Sequence, residues 1–294
     1  MTRFLGVDLA WAEGTLGAPG GRPAKETGLA CLDETGRVIS AGWARGIDEV
    51  VDWVQSLAEP GAVLAIDAPL VVNNPTGMRV CEKETGSRYG RWHVAANASN
   101  QALPWLGGVT LRRRLEHLGW SYTDGLTPVA ATASTFFECY PYTTLVGAKE
   151  FGYTDKRPRY KRMGTGLPIS ERRVARALVC DDLIERMWRL ESADPPLDLG
   201  SHPATDSLVT DPTPLLDTAY KHREDLIDAV LSAWTASLWH RHGLARSQVL
   251  GATDPLVVDG RRATIIAPAR PEQRRASPTA EHPPGLTAPG TSGP

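Results

Sequence analysis

The sequence predicts an α/β domain, a mixed five-stranded sheet with flanking helices and insertions, and three observations carry that prediction. Two short apolar runs each end at an aspartate, a helical pattern separates them, and a hairpin pattern follows the first run. Residues 3–9 (Arg-Phe-Leu-Gly-Val-Asp-Leu) read as a buried first strand. Beyond a Gly-rich loop at 14–21, residues 27–33 and 37–43 flank the turn Glu34-Thr35-Gly36 and supply strands two and three. Ile47, Val50, Val51, Val54 and Leu57 share one face of a helix that stops before Pro60-Gly61. Residues 62–67 (Ala-Val-Leu-Ala-Ile-Asp) make strand four, which a helix crossover returns parallel to an earlier strand. Pairing it with strand one sets Asp8 beside Asp67 at the carboxyl ends of central strands, where open α/β sheets place ligands.

Residues 73–134 read as a helical insertion, with Leu111, Leu115 and Leu118 at helical spacing. Thr135-Phe-Phe-Glu138-Cys-Tyr is β-favouring, is ended by Pro141, and forms strand five. A second insertion spans 151–217. Its first part, 151–176, holds eight basic and two acidic residues, a net charge of +6 in a chain whose total is -2. A helix over 170–190 follows, then a loop over 194–214, rich in Pro, Asp, Ser and Thr. Asp217 or Thr218 can cap the next helix, which runs to Gly243 and buries Leu226, Ile227, Val230, Leu231, Trp234 and Leu238. Asp225 and Asp228 lie three apart on its first turns. Residues 256–266 read as a hairpin around Asp259-Gly260. The domain is expected to end at 267, leaving a disordered tail over 268–294; from Pro271 onward, 24 residues contain six prolines and three glycines.

Composition narrows the function. A chain of 294 residues buries roughly three quarters of its unfolded surface, enough for a real core. The balance of -2 argues against a protein that coats nucleic acid or anionic membrane, though not against a local basic groove. No apolar run approaches the length of a membrane span, and Asp8 interrupts the run that a signal peptide would need, so a cytoplasmic location is the expectation. Cys31, Cys81, Cys139 and Cys180 are scattered without a C-x-x-C pair and read as packed, reduced thiols.

The chemistry rests on acids in apolar company. Asp8 follows Leu-Gly-Val, Asp67 follows Leu-Ala-Ile and Glu138 follows Phe-Phe, positions where an unpaired charge is costly. Together with Asp225 and Asp228 they form a carboxylate set suited to Mg²⁺ or Mn²⁺, ions that prefer oxygen ligands and can hold both oxygens of a phosphoryl transfer. Two plainer accounts compete. An Asp at a strand end is a common turn former, and acids early in a helix stabilise its dipole. Pairing with Arg79, Lys221 or Arg223 would also offset the charge.

Gly6-Val-Asp8-Leu-Ala-Trp11, Ile66-Asp67-Ala-Pro-Leu70, Glu138-Cys-Tyr-Pro141 and Asp225-Leu-Ile-Asp228-Ala229 resemble the motifs of domain-of-unknown-function family 429, regarded as predicted nucleases with an RNase H-like fold. The resemblance covers most of residues 3–267. The Asp-x-x-Asp-Ala element is also similar to the terminal helix of RuvC-type resolvases, which implies metal roles for Asp8, Asp67 and Asp225 or Asp228. Glu138 matches the family motif but has no direct RuvC counterpart. The implied activity is metal-dependent nucleic-acid cleavage, with Asp8, Asp67, Glu138, Asp225 and Asp228 as the catalytic set. Arg79, Arg88 and Arg91 would lie just past the second acid strand, and they, like Lys221 on the last long helix, could hold phosphates or neutralise the acids. Lys156, Arg157, Arg159, Lys161 and Arg162, with Tyr153 and Tyr160 interleaved, suit a nucleic-acid backbone with stacked bases, or a solvated loop. Two other functions stay open. One is a non-catalytic RNase H-like module that binds nucleic acid or protein. The other, an actin or sugar-kinase-like phosphotransferase, is disfavoured because Ala10 stands where its phosphate loop needs glycine.

Overall fold

The computed structural model describes residues 1–12 and 23–274. Strands β1 (Phe4–Asp8), β2 (Glu26–Leu32) and β3 (Val38–Arg45) form an antiparallel meander, as the hairpin pattern anticipates. Helix α1 (Gly46–Ser56), burying Ile47, Val50, Val51 and Val54, crosses over to β4 (Val63–Ile66), which pairs parallel with β1. Helices α2 (Val80–Tyr89) and α3 (Gly107–His117) and strand β5 (Ser121–Tyr122) precede β6 (Thr135–Glu138), which pairs parallel with β4. The α/β class is as expected, but the sheet has six strands in the order β3-β2-β1-β4-β6-β5, not five. The extra strand is only two residues long, too short for an alternating pattern to show.

Three helices escaped the apolar-period reading for separate reasons. The face that α2 buries is mixed, with Glu82 and Thr85 beside Cys81 and Tyr89. Helix α4 (Pro141–Gly147) is buried at every residue, so it has no polar face to set a period. Pro141 does end the strand, but it also stands in the first turn of this helix, where its missing N–H costs nothing. Helix α6 (Pro203–Thr210) lies within the expected 194–214 loop and also starts on a proline. It lies between α5 (Ile169–Trp188) and α7 (Asp217–His242), the two long helices the sequence announced. Asp217 does not cap α7; it is the first helical residue and accepts hydrogen bonds from Arg173 and Arg176 at 2.9 and 2.8 Å.

The 256–266 segment divides in two. Strands β8 (Val257–Val258) and β9 (Arg261–Arg262) make the hairpin, while β10 (Ile265–Pro268) pairs antiparallel with the unanticipated β7 (Ser247–Leu250). Within the expected tail, residues 268–274 are packed on the domain, with a 3₁₀ turn at Pro271–Gln273 and a buried Gln273 whose amide donates to the Val146 carbonyl at 3.0 Å. The rest of that tail and the Gly14–Gly21 loop lie outside the described residues.

Strand alternation gives the sheet two apolar faces. Leu5, Val7, Leu64, Ile66 and Phe136 pack towards α1 and α3; Phe4, Val63, Ala65 and Phe137 pack towards α7. Helix α7 is buried continuously from Arg223 to Leu238 and lies across β1, β2 and β4. Among the described residues no helix is long and apolar enough to cross a membrane.

All four cysteines are free and buried, and burial pushes the Cys31 and Cys81 thiols up to about 12. A thiol reagent at neutral pH is therefore expected to leave the native protein unmodified and to label four thiols after denaturation. Rapid labelling of the folded chain would contradict this packing.

Candidate metal centre

The parity of each strand decides which acids meet. In β1, Asp8 points to the same face as Phe4, towards α7. Register carries Val7 opposite Ile66, and the Asp67 amide donates to the Val7 carbonyl at 2.8 Å, so Asp8 and Asp67 stand side by side at adjacent strand ends. Helix α7 brings Asp228 over them. One carboxylate oxygen from each of Asp8, Asp67 and Asp228 lies within 4.8 Å of the others.

These acids are unevenly exposed. Asp228 has no exposed surface, whereas Asp8 and Asp67 are half-buried. Asp228 Oδ1 accepts a 2.5 Å hydrogen bond from the Tyr160 hydroxyl; Oδ2 has no aligned hydrogen-bond donor and faces the ammonium of Lys161. Burial, reinforced by Asp228 and Asp67 and opposed by Lys161, holds the Asp8 carboxyl well above the usual carboxylate range. Burial likewise pushes Asp67 up to about 7 despite Lys161 nearby. Carboxylates crowded in this way gain from a divalent cation, and an all-oxygen donor set suits a hard ion such as Mg²⁺ or Mn²⁺.

The other two predicted acids lie outside this triad. Glu138 is opposite Ile66 in the ladder, one residue short of Asp67's partner, and so points to the face away from Asp8. It is clamped by Arg79: Nη2 donates to Oε1 at 2.6 Å and Nη1 to Oε2 at 2.8 Å, while the Leu70 amide donates to Oε2 at 3.0 Å. The register position beside Asp67 falls to Cys139, whose thiol meets Ser232 of α7 at 3.4 Å. Asp225 borders the same groove as Asp8, and its Oδ1 pairs with Lys221 Nζ at 2.5 Å.

The predicted phosphate-binding residues scatter. Arg79 is buried and also donates to Glu82 at 2.8 Å and to the Val71 carbonyl at 2.9 Å, which leaves nothing for a substrate. Arg88 bonds Gln248 at 3.2 Å and pairs with Glu84, and Arg91 lies 5.5 Å from the Trp92 ring. In the basic insertion, Tyr153 and Tyr160 are buried and present no ring to a base; Tyr160 is bound to Asp228. Arg157 lies over the Tyr142 ring at 3.9 Å, and Lys156, Arg159 and Arg162 are exposed. Of the insertion's basic residues, Lys161 reaches the acid triad: it contacts Asp228 and lies 3.9 Å from Asp67 Oδ2.

Sequence reasoning missed a groove of about 480 Å³ opening at Asp8 and Asp225, lined by Lys25, Arg45, Lys221 and His222 among others. Its residues come from the end of β1 and the segment after it, the entry to β2, the end of β3 and the first turns of α7, and no local pattern joins them.

The sequence profile of the family described as "Protein of unknown function (DUF429)" matches residues 6–252. The chain belongs to the DUF429 family. That match runs from the β1 glycine to the end of β7 and so contains every residue of the triad. No curated protein and no solved structure matches the chain.

Proposed function

We propose that this DUF429 protein is a divalent-metal-dependent nuclease that hydrolyses phosphodiesters of DNA or RNA at Asp8, Asp67 and Asp228. One observation carries the reading: carboxylates from two adjacent strand ends and a buried helix position converge within 4.8 Å. Asp228 is fully buried, and its Oδ2, which has no aligned hydrogen-bond donor and meets only the Lys161 charge, is the kind of oxygen that a hard cation satisfies. A divalent ion there would supply Lewis-acid polarisation of a phosphoryl oxygen and activation of an attacking water. Asp8, Asp67 and Asp228 would hold the ion, and Tyr160 fixes the Asp228 carboxylate by its 2.5 Å bond. Lys25 and Lys221 border the adjoining groove and suit a phosphate backbone. The meander of β1 to β3, followed by β4 and β6 parallel to β1, supports the RNase H-like reading.

Mg²⁺- or Mn²⁺-dependent cleavage of a panel of single- and double-stranded DNA and RNA is the test. Asp8→Asn, Asp67→Asn and Asp228→Asn are each expected to lower the rate at least about tenfold. Wild-type activity in both Asp8→Asn and Asp67→Asn sinks the reading.

A second reading has its own observation. Lys161 contacts Asp228 and approaches Asp67, so the chain partly neutralises its acids without an ion, as a non-catalytic binding module would. The melting temperature separates the two. Metal at a hundred times its Kd adds about 2.7 kcal/mol to the stability of a nuclease centre, whereas a module of paired charges shows no rise and binds nucleic acid without metal.

A further inference from the structure

Other acids around the triad are already held by cations of the chain. Both oxygens of Glu138 are taken by Arg79 and the Leu70 amide. Asp225 pairs with Lys221 at 2.5 Å, and Glu224 with the same ammonium at 3.0 Å. Asp8, Asp67 and Asp228 bring one oxygen each within 4.8 Å of the others, enough for one hard ion that would complete its shell with water and substrate. A pair of ions about 3.5 to 4 Å apart would need further bridging carboxylates.

Into this triad the chain sends Lys161. Its Nζ contacts Asp228 Oδ2 and lies 3.9 Å from Asp67 Oδ2. The strap that carries it is pinned at several points. The Tyr160 hydroxyl binds Asp228, and the Tyr160 carbonyl accepts from the Tyr220 hydroxyl at 2.5 Å. Four residues earlier, Arg157 lies on the Tyr142 ring and donates to the His93 carbonyl at 2.8 Å. Lys161 itself sits 5.2 Å from the Tyr142 ring centre. An ammonium held from both sides is a fixed positive charge, and most of its stem is shielded from water.

We propose that the centre takes a single divalent ion, on Asp8, Asp67 and Asp228, and that the Lys161 ammonium stands in for a second one. This rests on the metal reading above and adds to it an ion count and a residue that sets the count. An ammonium supplies charge and up to three N–H donors to a phosphate oxygen but coordinates nothing, so it fills the electrostatic place of an ion without its ligands.

Titration of the metal-free protein with Mn²⁺, followed by calorimetry and by the free-ion paramagnetic signal, tests the count. The wild type is expected to bind one ion per chain and Lys161→Arg likewise one. Lys161→Ala is expected to admit a second ion, or to bind the first at least about tenfold more tightly, because a like charge a few ångströms away has gone. Two ions on the wild type overturn the proposal, as does a Lys161→Ala protein with unchanged or weaker affinity and a wild-type melting curve. Failure of every form, all folded, to bind Mn²⁺ removes the metal reading itself and this count with it, a result distinct from binding with the wrong stoichiometry. Asp8→Asn, expected to bind no Mn²⁺, checks that the titrated ion is at this centre.

Discussion

Arg79→Ala is expected to destabilise the protein by about 3–5 kcal/mol at pH 7, measured by urea unfolding, because it strands buried carboxylates. Arg79, Glu82 and Glu138 are 2%, 1% and 4% exposed. The guanidinium donates to both acids and to the Val71 carbonyl, which ties the loop after β4 to α2 and to the end of β6. Burial already raises the Glu138 carboxyl, and Arg79 is the largest influence opposing that rise. Without Arg79 the folded-state pKa of Glu138 moves further up. A carboxyl raised in the folded state favours folding below its unfolded pKa and loses that contribution as pH rises through the folded value. The variant's deficit is therefore expected to be larger at pH 7 than at about pH 4, the ordinary range of a Glu carboxyl. Glu138→Leu is expected to cost less, because Arg79 keeps Glu82 and only the Leu70 amide and part of the fork lose partners. An Arg79→Ala protein within about 1 kcal/mol of wild type at pH 7 would show that the clamp does not hold these elements together.

That clamp marks a limit of the sequence pattern. The placement of Asp8 beside Asp67 was legible, because apolar runs ending in acids, separated by one amphipathic helix, leave few ways to pair strands. The six-residue run at 62–67 set its own parity. Glu138 was misassigned to the acid cluster because parity is invisible until the neighbouring register is known: Ile66 opposite Glu138 turns it away, and a slip of one residue would have turned it in. Asp225 and Asp228 could not be separated by spacing either. Their division follows from Lys221, one turn before Asp225, and from Tyr160 and Lys161, which arrive from an insertion nearly 70 residues away from Asp228 in the chain. The insertion's charge was legible but its use was not. Its tyrosines are buried, and only Tyr160, through its hydroxyl, and Lys161, through its ammonium, carry its contact with the triad.

Gly28→Ala is expected to cost more than about 3 kcal/mol and to weaken Mn²⁺ binding, two effects with one cause. An alanine Cβ at Gly28 would lie 2.0 Å from the Asp225 carbonyl oxygen and 2.4 Å from its carbon, backbone atoms inside α7 that no rotamer change can move. Gly6 makes the same demand: its Cβ would meet the Ala229 carbonyl oxygen at 2.1 Å and the Ala233 nitrogen at 2.2 Å. Helix α7 therefore lies backbone to backbone on β1 and β2, and side-chain overpacking alone gives too small a picture of the damage. Gly28 is also the ladder partner of Asp8, so the contact that a methyl group would open is next to the acid triad. Lifting α7 there carries Asp228 away from Asp8 and Asp67, which must stay within 4.8 Å to share an ion. A control separates this from a general intolerance of added bulk in the sheet. Gly42 in β3 has nothing within 4 Å of the place where an alanine Cβ would stand. Gly42→Ala is therefore expected to fall within about 1 kcal/mol of wild type, helped by lower unfolded-state entropy. If Gly28→Ala folds as stably as Gly42→Ala and keeps wild-type Mn²⁺ affinity, the close seating of α7 is not what assembles the acids. If it loses both together, packing and chemistry share one contact, and the glycines before Asp8 and opposite it are as much part of the centre as its carboxylates.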